Sequence, residues 1–168
     1  MKKPTTSTWK ELWLFRFEDD MILKIKDNRK QFALASFAIY LFSLGQDAFV
    51  YIDVDVLKNY SSTSVLFMGG LAILGGGLCE FIIWLANPFY FIALLLLWLN
   101  NKVSVIIALI SFLISLSFVM WSHILVSENG RMGTIQHLKS GYWFWCLSIF
   151  VLYLSANRHF KNHSQQKL

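Results

Sequence analysis

Residues 65–99 read VLFMGGLAILGGGLCEFIIWLANPFYFIALLLLWL, a stretch of 35 residues in which Glu80 is the only charge. As one straight helix it would be about 52 Å long, well beyond the ~30 Å hydrocarbon core of a bilayer. As two full crossings it is short, since two spans need about 40 residues plus a turn. Gly69-Gly70 and Gly75-Gly76-Gly77 lie in its first half and Asn87-Pro88 in its second. Proline breaks a helix or turns the chain. The stretch therefore reads either as one crossing with a broken or re-entrant glycine-rich segment, or as a hairpin of two short spans turning at Asn87-Pro88.

Working outward, residues 81–99 and 103–119 contain no charge. Each run is about the length that spans a bilayer, and each is unbroken rather than alternating, which is the pattern of helices and not of barrel strands. The composition agrees: 56% of the residues are hydrophobic and only 15% are charged, an unusual balance for a soluble domain of this length. Residues 32–52 form a further apolar segment in which Ser36, Tyr40, Ser43 and Asp47 recur at steps of four, three and four. That spacing puts them on one helical face, directed at other helices or water rather than lipid. Residues 141–156 supply the last apolar segment.

The fold expected is an all-α polytopic membrane helix bundle of about four transmembrane helices, one of them broken. Charge favours four crossings over five. With four, the inner side carries twelve Lys and Arg and the outer side three; with five, the ratio is ten to five. The chain divides into a basic amphipathic arm (1–31), the bundle (32–156) and a polar basic tail (157–168). The arm lacks the apolar core of a cleaved signal, so the first span is expected to act as its own insertion signal. Both termini are expected in the cytoplasm, and the setting is a bacterial inner membrane.

Thr8 and Glu11 fit a capping box that would start a short helix carrying Trp9 and Trp13 on one face, suited to a headgroup layer or to a partner. Tyr142, Trp143 and Trp145 read as an aromatic belt at the membrane interface. Ser104, Ala108, Ser111 and Ser115 form a stripe of small residues that reads as a helix-packing seam, with a polar pathway as the alternative. Gly69, Ala72 and Gly76 would let a neighbouring helix approach Glu80.

Glu80 is the principal candidate for a ligand or ion site, because a carboxylate within a span is costly unless it faces a cavity or a partner. It reads as buried if the crossing is about 65–86 and as interfacial if it is about 78–99. Asp47, near the outer end of its span, is the second candidate and could pair with Lys58. His123 and His137 flank a hairpin signalled by Asn129-Gly130 and could meet Glu128, but a 14-residue spacing is weak for a metal site. Cys79 and Cys146 read as buried thiols rather than a bridge. Asn59-Tyr60-Ser61 and Asn162-His163-Ser164 match the glycosylation pattern, which is short enough to arise by chance.

No catalytic triad, metalloprotease helix, phosphate loop or redox cysteine pair is present, and no polar segment is long enough for a soluble enzyme domain. The net charge of +5 is accounted for by the inner flanks and does not imply nucleic acid. No metal or cofactor is expected. The chain reads as an interaction, anchoring or sensing subunit of a membrane complex, with the bilayer and either a second copy or another membrane or cytoplasmic protein as partners; a defence or immunity role fits its size. The alternative is a homo-oligomeric ion or proton channel using Glu80 and the 104–122 face.

Overall fold

The computed structural model describes residues 29–127 and 130–165. Helix α1, Arg29–Leu44, buries Ser36, Tyr40 and Ser43 on the face set by their spacing. It stops where Gly45 and Gln46 turn back onto the carbonyls of Phe42 and Ser43. The chain then extends as β1, Asp47–Asp53, and returns as β2, Val56–Ser61. Val54 and Asp55 join them, with φ of 48° and 61°, the sign pattern of a type I′ hairpin turn. Ser61 caps helix α2, Ser62–Gly69, by accepting from the Ser64 N–H. A single 3-10 turn, Ala72–Gly75, follows. Gly76, at φ 84°, then redirects the chain into α3, Leu78–Trp84. Helix α4, Ala86–Trp98, continues α3, and α5, Val103–Ser117, returns antiparallel after the turn at Asn100-Asn101. Strands β3, His123–Leu125, and β4, Met132–Leu138, precede the long helix α6, Ser140–Gln165.

Pro88 does not turn the chain. It cannot donate to the Trp84 carbonyl one turn earlier. The Asn87 side chain does so instead, its Nδ2 lying 3.0 Å from Trp84 O. Leu85 and Phe89 keep their bonds to Phe81 O and Leu85 O, so residues 78–98 run as one apolar segment of 21 residues.

The four strands form one antiparallel sheet in the order β2-β1-β4-β3. Tyr51 of β1 lies opposite Lys58 on one side and Ile135 on the other. Being central, β1 is buried on both faces through Ala48, Phe49, Val50 and Tyr51. The Phe49 ring stacks on Tyr60 at 5.2 Å and meets Phe118 at 5.5 Å, which seats the sheet on one end of the helices.

In the helical layer α1 packs on α6, α4 on α5, and α5 on α6. Its interior mixes large side chains, among them Tyr40, Tyr90, Leu97, Ile149 and Leu152, with small ones. Ser36, Ser43, Ser104, Ser111 and Ser148 are fully buried, as are Ala86, Ala93 and Ala108. Its outer surface carries Leu41, Phe42, Leu95, Ile106, Leu113 and Phe150, all exposed. An exposed apolar surface of this extent is unusual in water.

Two expectations are corrected. The all-α four-span bundle gives way to a mixed α/β fold, because segments read as the end of a span and as loops pair into a four-stranded sheet. The multi-pass reading falls with it: among the described residues two helices, Leu78–Trp98 and Val103–Met120, are long and apolar enough to cross a membrane by length and composition. The physical reason lies in the outer segments. Residues 47–52, which read as the end of the first span, form part of β1, and α1 ends at Leu44 after 16 residues. Helix α6 has the length, but its second half carries Asn157, Arg158, His159 and Lys161. Of each qualifying window 28% is buried within the protein.

Candidate functional site

A cavity of about 510 Å³ lies between the inner face of the sheet, the glycine-rich segment and the near ends of α1, α4 and α6. That volume falls in the range of small-molecule sites, roughly 300–1,000 Å³. Three of its walls follow from local chemistry. Strand β1 offers Ala48 and Phe49, and β2 offers Tyr60, whose phenol burial holds above its usual ionisation range, with neighbouring Tyr51 adding to the effect. The glycine-rich segment supplies Gly69, Leu71, Ala72 and Gly75. Helix α3 supplies Glu80, Ile83 and Trp84, with Glu80 and Trp84 one turn apart on the same face.

The floor is a hydrogen-bonded hub at Asn87. Its Oδ1 accepts from Tyr40 Oη at 2.8 Å and from Trp145 Nε1 at 2.9 Å, while its Nδ2 serves Trp84 O. Asn87 and Tyr40 are both buried. The Tyr40 ring stacks on Tyr90 at 4.8 Å, and Ser36 links Tyr90 to the Ser148 carbonyl, tying α1, α4 and α6 together. Trp84 is fixed separately: its Nε1 donates to Leu66 O at 2.6 Å. A Cβ added at Gly69 or Gly70 would come within 2.8 or 2.9 Å of the Trp84 side chain, so only glycine admits the indole there. Ser62 Oγ, also in the wall, is buried and has no hydrogen-bond partner among the described residues.

Glu80 is half-buried at the start of α3, where its Oε1 accepts from the Leu125 N–H of edge strand β3 at 2.8 Å. It lines both the main cavity and a smaller cleft shared with Trp121, His123 and Met132. Asp47 lies at the start of β1, outside the cavity wall, and pairs with Lys139 at 3.1 Å. Lys58 pairs instead with Asp53, at 2.7 Å, and Arg131 adds a second contact at 3.2 Å. The Lys58 hydrogen bond, assisted by the charges of Arg131 and Lys58, holds the Asp53 carboxyl below its usual range.

The remaining candidates are spread over the molecule. Gly69 faces Trp84, Ala72 O accepts from the Gly77 N–H, and Gly76 occupies the left-handed turn with nothing within 4 Å of a Cβ. Ser104, Ala108, Ser111 and Ser115 share the buried face of α5. Ser111 Oγ donates to Ala86 O at 2.7 Å, and Ser115 Oγ to Phe112 O at 2.8 Å. Tyr142 is buried and donates to Ser115 O, Trp145 is half-buried against Asn87, and Trp143 is exposed. His123 and His137 lie on β3 and β4, and no group of three potential metal ligands occurs among the described residues. Cys79 is exposed and Cys146 buried; both are free. Trp9, Trp13 and Glu128 lie outside the described residues.

Tyr40, Trp84 and Asn87 were not singled out as site residues from the sequence. Asn87 carried a signal, its position directly before a proline, but that pair marks a turn as readily as a proline-bridging side chain. Comparison with known protein families, curated proteins and solved structures finds no match for this chain.

Proposed function

We propose that this chain is a membrane-anchored interaction or sensing protein, held by the α3–α4/α5 hairpin and presenting its sheet and cavity on the side away from Asn100. The observation that carries the reading is the outer surface of the helical layer, where Leu41, Phe42, Leu95, Ile106, Leu113 and Phe150 are exposed around an interior rich in serine and alanine. That is how helices pack when lipid surrounds them.

Charge supports an orientation. Arg29, Lys30, Lys102, Arg158 and Lys161 gather at the end opposite the sheet, with no carboxylate among the described residues there. Lys30 lies over Trp98, and His159 meets Asn100 at 2.8 Å, which ties that end together. The sheet end mixes Asp47, Asp53, Asp55 and Glu80 with Lys58, Arg131 and Lys139. By the positive-inside rule we assign the Asn100 turn of the hairpin to the cytoplasmic side of a bacterial inner membrane and the sheet end of the hairpin to the opposite side. The partner in this reading is a second copy or another membrane protein, met through the exposed aliphatic surface.

Membrane-impermeant maleimide labelling tests the reading, with Cys79 and Cys146 first replaced by serine and alanine. In intact cells Lys58→Cys is expected to label and Asn101→Cys to label only after permeabilisation. Labelling of both positions in intact cells, or of neither until permeabilisation, would sink the hairpin crossing. The native mass of the gently extracted protein then reads whether the companion is a second copy or a different polypeptide.

A further inference from the structure

The chemistry of the cavity is one-sided. Among the described residues Glu80 is the only Asp or Glu in its wall, and no Lys, Arg or His lines it. The rest of the wall is uncharged, with Ser43, Ser62, Asn87 and Ser127 as its polar members and Phe49, Tyr60, Trp84, Phe118, Tyr142 and Trp145 as its aromatic ones. Aromatic faces carry negative potential and attract a desolvated cation, and a carboxylate in the same wall adds a counter-ion. An anion would meet the reverse on every side. Size, aromatic lining and charge together describe a receptor for a bulky apolar molecule carrying one positive charge.

We propose that the cavity beneath the sheet binds lipophilic organic cations, with Glu80 as counter-ion and the Trp84 indole as the principal aromatic face. The proposal deepens the sensing role above and rests on it for its biological meaning, though not for its test. Trp84 is pre-organised: the Leu66 carbonyl fixes its N–H, and Gly69 and Gly70 lie directly against its ring. Glu80 is anchored through one oxygen by Leu125 N–H, so its second oxygen is the one available to a ligand. Little side-chain ordering is left to oppose binding, which favours affinity. Ser62 Oγ supplies an unpaired buried hydroxyl for any polar group the ligand carries.

The full chain in nanodiscs is titrated with tetraphenylphosphonium and with tetraphenylborate, ions of nearly the same shape and opposite charge. Saturable binding of the phosphonium is expected, with the borate at least about tenfold weaker, the ratio that ~1.4 kcal/mol of charge discrimination gives. Glu80→Gln keeps an oxygen for the Leu125 N–H. It is expected to preserve the melting temperature, weaken the phosphonium about tenfold and bring the two ions close together. Met68→Lys, at a half-exposed wall position, provides an independent variant: it is expected to lose the phosphonium and gain the borate. Equal binding of both ions to the unaltered protein, or an undiminished phosphonium affinity in both variants, overturns the proposal. Maleimide labelling is scored separately, so cation binding with a failed crossing leaves the site and sinks the hairpin, and the converse sinks the site alone.

Discussion

Asn87 concentrates more of the helical layer's polar bonding than any residue its sequence context would suggest. One side chain satisfies the carbonyl that Pro88 leaves without a donor, and with its other end holds Tyr40 and Trp145. Truncation strands all three partners. Buried groups left unpaired cost ~1–3 kcal/mol each in water-facing proteins and less within membranes, so Asn87→Ala is expected to lose about 2–4 kcal/mol in a denaturation titration. Tyr40→Phe removes one of the three bonds and leaves the other two in place, and is expected to lose about 1 kcal/mol. A loss in Tyr40→Phe equal to that in Asn87→Ala would mean that the Trp145 and Trp84 contacts of Asn87 contribute nothing. Asp53 provides a second residue-scale expectation, this one in pH. Its carboxyl is held low in the folded protein, so its contribution is fully present above its unfolded value near 4 and is lost as pH falls through the lower folded value. Stability measured between about pH 5 and pH 2 should therefore fall, and Asp53→Asn should flatten that part of the profile. A profile unchanged by Asp53→Asn would assign the acid sensitivity to other carboxylates.

Among the elements, the β1–β2 hairpin explains both what the sequence disclosed and what it hid. The apolar runs at 81–99 and 103–119 were legible because uncharged stretches of 19 and 17 residues have few other solutions, while the course of 65–99 stayed open between one crossing and a turn at Asn87-Pro88. The serine stripe of α5 was equally plain, since its four positions share a face at helical spacing. Strand β1 was not legible. Asp-Ala-Phe-Val-Tyr-Ile-Asp is a short apolar run buried on both faces, and periodicity cannot separate such a run from the end of a helix. Its turn carries Val54-Asp55 where Asn-Gly would have announced a hairpin. The cavity escaped notice for a related reason: its walls come from β1, β2, α3 and the segment after β3, which meet only once the sheet exists. Glu80 was legible as unusual, but its partner, the Leu125 backbone 45 residues later, was not. The same turn yields an expectation. A β-branched residue in the left-handed region costs roughly 1–2 kcal/mol. Val54→Asn combined with Asp55→Gly should therefore raise stability by about 1–2 kcal/mol in the same titration while leaving the Asp53–Lys58 pair in place. No gain would mean that the exposed Val54 side chain has contacts worth its strain, as in a complex.

Across the whole molecule, the sheet joins two halves of the chain that the helices alone would leave loosely coupled. Strands β1 and β2 follow α1, strands β3 and β4 precede α6, and the β1–β4 ladder closes the sheet across some 85 residues of sequence, a separation set by pairs such as Phe49 with Leu138. The joint between sheet and helices lies at the first turn of α6. Gly141 faces the Asp47 carbonyl, where an added Cβ would be 2.6 Å from the oxygen, and it also meets Ser62 Oγ. Neither neighbour can yield cheaply, because Asp47 belongs to β1 and Ser62 to the start of α2. Lys139, two residues earlier, holds the same junction through Asp47 and Asn59. A single methyl at Gly141 should therefore act on the assembly of the two layers and not on one element. Overpacking of this kind costs about 1–3 kcal/mol, which for a chain of this size lowers the melting temperature by roughly 2–10 °C. Gly45→Ala is the matched control, since its Cβ would meet only the Phe42 carbonyl at 3.6 Å, an ordinary contact. The readout that separates a joint from a local defect is the agreement of two probes, helical circular dichroism and the fluorescence of a variant in which Trp9, Trp13, Trp98 and Trp143 are replaced by phenylalanine, leaving Trp84, Trp121 and Trp145. With Gly141 unaltered, and in Gly45→Ala, the two should melt together. In Gly141→Ala the fluorescence should change at a lower temperature than the helical signal, because the sheet lifts from helices that remain formed. A Gly141→Ala variant whose two probes still coincide at an unchanged midpoint would show that sheet and helices do not depend on that contact.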